Sequence, residues 1–277
     1  MSDYADRDSI GIIGGGFVGA AIKQYYKNAK VYDIDPQRKT HSFEETCKQD
    51  YVFACVPTPQ GEDGKIDLSA VEDVLEKIPD NTRIILKSSV VPGTTEELQE
   101  KYPSKKIVYC PEFLTAKFAA EDFAFPDKNI IGYTKKYPEL ADEVAKVLPR
   151  ANTLICKSTE AEMIKYMLNS YYALKVLYSN EIYDLCEKLD IDYGVVKEGF
   201  VLDKRVNDSH FDVMNGFKRG FGGACFPKDT SAIVKRAEEL GVDLSLIRQA
   251  IETNKKYRQM DTTRKKLNIM DSSEIKN

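Results

Sequence analysis

Ser9-Ile10-Gly11-Ile12-Ile13-Gly14-Gly15-Gly16-Phe17-Val18-Gly19 is the stretch that decides the fold. A short apolar run leads into three glycines spaced as GxGxxG, and a helical stretch from Ala20 to about Lys27 follows. That order is strand, tight turn, helix. Gly14 permits the turn, Gly16 lets a pyrophosphate approach the backbone at the helix N-terminus, and Gly19 lets the helix pack closely on the strand. A second strand, Lys30-Val31-Tyr32-Asp33, ends in an acid nineteen residues after Gly14, where a ribose-binding carboxylate is expected. Together these features predict a dinucleotide site built from Gly14, Gly16, Phe17, Val18, Gly19 and Asp33. Asp33 can accept from both ribose hydroxyls and repels a 2′-phosphate, so NAD is favoured; nearby Arg38 keeps NADP open.

Outward from this unit the chain alternates as a parallel sheet covered by helices does. Tyr51–Val56 reads as a third strand broken by Pro57-Thr58-Pro59, and Thr58 is a candidate cofactor contact. Asp67 caps a helix reaching about Ile78. Arg83–Leu86 is a fourth strand running into the polar loop Lys87–Thr94, which includes Ser89, and Lys106–Tyr109 is a fifth, followed by Pro111-Glu112-Phe113-Leu114. Asn129–Gly132 and Thr153–Cys156, with a helix near Pro138–Leu148 between them, complete a doubly wound parallel sheet of the Rossmann type over residues 1–157.

Ser158 caps a helix that meets no proline or glycine until Gly194, so one helix of about thirty residues is expected. Met163, Met167, Leu174, Leu177, Ile182 and Leu185 give it an apolar stripe for a domain or a second subunit. Lys165 and Asn169, four apart, share a face, with Glu162 one turn earlier; a solvated Glu-Lys pair is the bland reading. Helices near Tyr193–Leu202, Lys228–Leu240 and Leu244–Leu267 fill a mainly helical second domain over 158–277.

That domain holds Gly220-Phe221-Gly222-Gly223-Ala224-Cys225-Phe226-Pro227-Lys228-Asp229. The glycines allow positive φ and close approach to a ligand, and Pro227 suits a first helical turn. Cys225 then sits at a helix N-terminus, where the dipole and Lys228 favour the nucleophilic thiolate, with Asp229 as a base or a holder of water. The alternative is a glycine-rich turn with an incidental buried cysteine.

Composition narrows the classes. In 277 residues, 42% hydrophobic, 40 basic and 44 acidic side chains give a net charge of −4, so no general affinity for nucleic acid or membrane is indicated. No apolar run of about 18 residues occurs, and Met1–Asp8 is polar and acidic, unlike a signal peptide. Six scattered cysteines without a CxxC pair argue against a metal site or disulfide framework and suit a cytoplasmic setting.

A dinucleotide domain, a long helix with Lys and Asn, and then GFGGACFPKD closely resembles the UDP-glucose/GDP-mannose dehydrogenase family from about Ile10 to Lys256. Cys55-Val56-Pro57-Thr58-Pro59, Pro111–Leu114, Glu162–Asn169, Tyr171–Val176 and Asn180-Glu181 extend the match. The resemblance implies that NAD twice oxidises the C6 alcohol of a nucleotide sugar to a carboxylate, through a thiohemiacetal and thioester on Cys225. It implies catalytic roles for Lys165, Asn169, Asp229, Glu112 and Ser89, which stands where the family usually has threonine. Thr58, Ser89 and Lys228 join the NAD contacts, and Phe113, Leu114, Lys165, Asn169, Arg205, Phe221, Gly222 and Gly223 the substrate contacts. A homodimer through the long helix is also implied. Three departures stand out. Ala116 replaces an acid usual two residues after PEFL, Asn215-Gly216-Phe217-Lys218-Arg219 differs from familiar members, and the family's third, nucleotide-sugar-binding domain is expected to be missing. A two-electron hydroxyacid-type dehydrogenase and a non-catalytic NAD-binding subunit remain open as alternatives.

Overall fold

The computed structural model describes residues 9–61, 63–213 and 218–274, with the side chains of 260–274 outside the description. Asn215, Gly216 and Phe217, part of the Asn215–Arg219 departure, and the polar Met1–Asp8 therefore lie outside the described residues. The chain divides into two compact units, Met1–Lys165 and Tyr166–Asn277, parted within a helix.

The first unit is a seven-stranded sheet in the order β2-β1-β3-β4-β5-β6-β7. Its strands are β1 Ile10–Ile13, β2 Lys30–Tyr32, β3 Tyr51–Ala54, β4 Arg83–Leu86, β5 Lys106–Tyr109, β6 Lys128–Tyr133 and β7 Asn152–Lys157. Strands β1 to β5 are parallel, as the apolar runs predict. β6 runs antiparallel to β5, and β7 follows β6 in parallel, so the expected doubly wound parallel sheet forms with one antiparallel junction. Alternation along the strands feeds two cores. Ile10, Ile12, Phe53, Ile85, Val108 and Ile131 face one, and Ile13, Val52, Ala54, Ile84, Leu86, Ile107 and Ile130 the other.

The helices of this unit are α1 Phe17–Tyr25, α2 Phe43–Cys47, α3 Ser69–Lys77, α4 Thr94–Lys101, α5 Ala119–Ala124 and α6 Leu140–Val147. α1 begins at Phe17, earlier than the expected Ala20, because the chain turns into it directly from Gly16. Gly19 is fixed by proximity: a Cβ there would meet the Gly14 carbonyl oxygen at 1.9 Å, so only glycine lets α1 lie this close to the loop after β1. The N-cap of α3 is Leu68 rather than the expected Asp67, which stands one residue earlier and accepts from the Ser69 N–H at 2.8 Å.

α7, Ser158–Leu189, is a single helix of 32 residues, about 48 Å long at the standard rise. It begins where β7 ends, and the Lys157 N–H donates to Glu160 Oε2 at 2.8 Å in its first turn. The unit boundary falls between Lys165 and Tyr166. The second unit adds α8 Tyr193–Val201, α9 Phe226–Glu239 and α10 Ser245–Glu274, the last running past the expected Leu267. Ala173, Leu177, Phe221, Ala250 and Tyr257 form its core, joined by Leu174. The apolar residues expected on one α7 stripe thus belong to two faces, since Met163, Met167 and Leu185 are exposed.

Candidate active site

The sheet reverses its winding between β1 and β3, and ligands of open α/β sheets bind at that switch, beyond the carboxyl ends of the strands. The Gly14–Gly19 turn leaves β1 there. Gly14 has φ +96°, and beside Gly16 only Arg38 Nη1 comes near, 3.7 Å from where a Cβ would lie. Asp33 turns its carboxylate onto this turn, Oδ2 accepting from Gly15 N–H at 2.6 Å and Oδ1 from Asp35 N–H at 2.8 Å. A carboxylate has about four lone-pair sites, so ribose hydroxyls can still be accepted. Arg38 is exposed and paired with Asp35 at 3.2 Å. Thr58 is buried and donates its hydroxyl to the Ser89 carbonyl at 2.9 Å, tying the loop after β3 to the loop after β4. These residues suit a dinucleotide: an N-terminal helix turn for the pyrophosphate and an acid for the ribose. Phe17 and Val18 open α1 at this turn, and Phe17 is 51% exposed.

Also in the first unit, Lys165 and Glu112 form a nearly enclosed pair. Lys165 Nζ donates to Glu112 Oε1 at 2.8 Å and to the Glu112 carbonyl at 2.6 Å, with the two side chains only 5% and 12% exposed. Burial raises the Glu112 carboxyl, but the Lys165 charge and hydrogen bond, the Leu114 N–H and Lys87 together outweigh it and hold the group below its ordinary value. The solvated Glu-Lys pair considered from sequence is not what forms. Glu162 instead accepts from Gly93 N–H at 2.6 Å and from Thr95 N–H and Oγ1 at 2.8 and 2.6 Å, at the start of α4. Phe113 lies under two ammonium groups, Lys128 at 4.6 Å and Lys165 at 5.3 Å from its ring centre, and Leu114 packs against the sheet core.

In the second unit the glycine segment is held by amides from two helices. Asn254 of α10 accepts from Phe221 N–H at 2.7 Å and donates to Phe221 O at 3.0 Å, while Asn180 of α7 accepts from Gly220 N–H at 3.2 Å. Gly220 has φ +71°, and a Cβ on it would meet Asn254 Oδ1 at 2.4 Å, so the clasp and the glycine require each other. Phe221, expected among the substrate contacts, has its side chain in the core of the second unit at 3% exposure. Cys225 is the N-cap of α9 and is exposed, whereas Cys47, Cys110 and Cys186 are buried, so the incidental buried cysteine is not what the structure presents. Asp229, four residues on, is 1% exposed; Asn169 Nδ2 donates to its Oδ2 at 2.5 Å and Lys228 Nζ to its Oδ1 at 2.5 Å. Lys228, expected at the cofactor, gives one of its three donors to Asp229. Gly222 lies against the Arg258 guanidinium, and Gly223 is open. Arg205, expected at the substrate, is at the surface in a two-pronged pair with Asp203 of its own loop.

Sequence reasoning passed over Asn180 and Asn254 as organisers of the segment, although a buried helical asparagine beside a glycine loop is the signal for such a clasp. It also read Lys87 only as part of a polar loop.

The switch-point turn and ribose acid define a dinucleotide-binding α/β protein of the doubly wound class. The chain belongs to the UDP-glucose/GDP-mannose dehydrogenase family: residues 35–149 match the family's NAD binding domain and residues 159–256 its central domain. It is 32% identical over 262 residues to a UDP-glucose 6-dehydrogenase of Haloferax volcanii, covering 86% of this chain and 60% of that one. Identity to a GDP-mannose 6-dehydrogenase of Pseudomonas aeruginosa is 32% over 224 residues, covering 74% and 50%. The structure of a UDP-glucose dehydrogenase from Pyrobaculum islandicum superposes with a TM-score of 0.80 at 28% identity, covering 92% of this chain and 70% of that one. The chain spans 60% or less of the length of the curated relatives described here. Among the described residues no helix is long and apolar enough to cross a membrane.

Proposed function

We propose that this chain carries out the NAD-dependent, four-electron oxidation of a nucleotide sugar at C6, with UDP-glucose as substrate and UDP-glucuronate as product. The observation that carries this reading is the α9 N-terminus: an exposed Cys225 at the N-cap, four residues before a buried Asp229 fixed by Asn169 and Lys228. A two-electron hydroxyacid dehydrogenase has no use for such a thiol.

The Gly14–Gly19 turn and Asp33 would hold NAD, which would supply the hydride acceptor, one molecule for each of the two oxidations. Lys165 and Asn169 stand on successive turns of α7 and orient an ordered water, through which the C6 hydroxyl proton passes to the Asp229 carboxylate that Asn169 holds. Two of the three Lys165 N–H donors are engaged by Glu112, so the ammonium is oriented and its third donor can meet a substrate oxygen. Cys225 Sγ attacks the aldehyde carbon to give a thiohemiacetal, and loss of the second hydride leaves a thioester. Water cleaves the thioester, assisted by Glu112, and returns the thiol and the carboxylate. Ser89, whose carbonyl holds Thr58, places a hydroxyl in the loop after β4.

The test is NADH formed per sugar, with NAD in excess and UDP-glucose limiting. Two NADH per sugar are expected; one would replace this reading with a two-electron enzyme, and none, with NAD binding measured in the same sample, would overturn it for this substrate.

A homodimer through α7 completes the proposal. Met167, Tyr171, Tyr178, Leu185 and Leu189, on the α7 portion of the second unit, are 71, 57, 52, 54 and 59% exposed, an apolar run that water does not favour leaving bare. Sedimentation velocity at micromolar concentration should show a dimer for the wild type and a monomer for Met167→Glu/Tyr178→Glu. A monomeric wild type would refute the dimer. A cytoplasmic setting accords with six cysteines that lack metal or disulfide spacing.

A further inference from the structure

Beyond the end of β4 the first unit buries a lysine that the proposed chemistry does not use. Lys87 is 6% exposed; its Nζ donates to the Pro111 carbonyl at 3.2 Å, stands 3.5 Å from Cys110 Sγ and lies 5.9 Å from the Phe123 ring centre. Among the described residues no carboxylate pairs with it. Lys105, 7% exposed in the same unit, shows the ordinary solution, an ion pair with Asp80 at 2.7 Å. Burying an ammonium without a counter-ion is costly, and methionine would fill the volume without that cost. A charge kept under such conditions has a use at a site.

The sheet register shows which site. Leu86 of β4 pairs with Tyr109 of β5, so the next residues, Lys87 and Cys110, stand side by side where β5 passes into Pro111 and Glu112. The Lys87 hydrogen bond therefore falls on the carbonyl of the peptide that leads into Glu112. Among the described residues, the cations bonded to or stacked on this turn are Lys165 from α7, Lys128 from β6 over the Phe113 ring, and Lys87 from the loop after β4, while Asp122 of α5 accepts from Thr115 N–H and Oγ1 three residues beyond Glu112.

We propose that Lys87 is a positioning residue for Glu112: it holds the Pro111 carbonyl, and so the turn, and places a second positive charge behind the carboxylate that Lys165 grips from the front. This deepens the role given to Glu112 in the proposed reaction and rests on that reading for its meaning in turnover, but not for its physical content. With that charge present, Glu112 stays an anion, and an anion is what hydrolysis of a thioester requires of a base.

The experiment follows the Glu112 carboxyl carbon by NMR through a pH titration of the full chain without NAD or sugar, assigned with Glu112→Gln. Lys87→Arg keeps charge and donor, Lys87→Gln keeps the donor alone, and Lys87→Met keeps neither. The midpoint of Glu112 should stay at the wild-type pH in Lys87→Arg and move to higher pH in both Lys87→Gln and Lys87→Met. An unchanged midpoint in either neutral variant, folded by circular dichroism, overturns the proposal; if Lys87→Met does not fold, Lys87→Gln decides. The readout needs no turnover, so it stands apart from failure of the dehydrogenase reading. In an active enzyme the acid limb of the pH–rate profile should move the same way, with KM unchanged.

Discussion

Cys225→Ser is expected to lower NADH formation from UDP-glucose by about 10³-fold or more, roughly 4 kcal/mol of barrier, with NAD affinity unchanged. Serine matches the thiol in size, but its hydroxyl is a far weaker nucleophile at neutral pH, so the covalent step is lost while the surroundings stay. The substitution is also clean structurally. Cys225 is the N-cap of α9 and its side chain makes no capping hydrogen bond, and serine is among the preferred residues at that position. The variant should unfold at the same urea concentration as the wild type or a higher one, which separates lost chemistry from lost fold. Initial rates, calorimetric titration with NAD and urea unfolding together make the test. A Cys225→Ser protein that still yields two NADH per sugar at the wild-type rate would remove the thioester route.

Glu162→Ala should destabilise the first unit by about 3 kcal/mol or more, because it strips acceptors from three donors at once. Glu162 is fully buried, and Gly93 N–H, Thr95 N–H and Thr95 Oγ1 all point at its carboxylate. No local side chain caps α4; its N-cap is Gly93, so the cap comes from α7, 67 residues away at Thr95. Glu162→Gln should lose less, since one amide oxygen can still accept while its NH2 opposes a donor. Burial pushes the Glu162 carboxyl from its usual 4.5 up to about 7, against hydrogen bonds that pull it down. A carboxyl raised on folding binds its proton more tightly in the native state, so its stabilising contribution is complete below about 4.5 and is lost as pH rises to about 7. Wild-type stability relative to Glu162→Gln should therefore fall across that window. Urea unfolding by circular dichroism at several pH values reads both effects, and a pH-independent difference would disprove the titration.

Glu162 also shows why parts of the fold were illegible. α4 has a glycine at its N-cap and draws its acceptor from far along the chain, so the local sequence carried no start signal. α2 and α5 are five and six residues long, too short for a helical period to show. In contrast, Arg83–Leu86 and Lys106–Tyr109 were read to the residue, because unbroken apolar runs ended by charged or proline-bearing loops leave little choice. The direction of β6 was not readable, since alternation is the same in a parallel or antiparallel strand. At the site, Asp33, Lys165, Asn169 and Asp229 were singled out because their chemistry is singular, and each makes side-chain hydrogen bonds in the structure. The burial of the Phe221 side chain was not readable, because an aromatic beside glycines fits either a ligand or a core, and it is the packing with Ala173, Leu177, Ala250 and Tyr257 that places the ring in the core.

The uneven burial of the six cysteines makes the molecule its own reporter. Burial pushes the Cys47 and Cys55 thiols up to about 12 and raises Cys156, and Cys110 and Cys186 are shielded from water. An electrophile such as a maleimide dye meets Cys225 first, at the mouth of α9, without any cysteine having to be engineered away. Sugar nucleotides can then be ranked by how well each shields that sulfur from alkylation, a screen that works on the unmodified chain whether or not a given sugar is turned over.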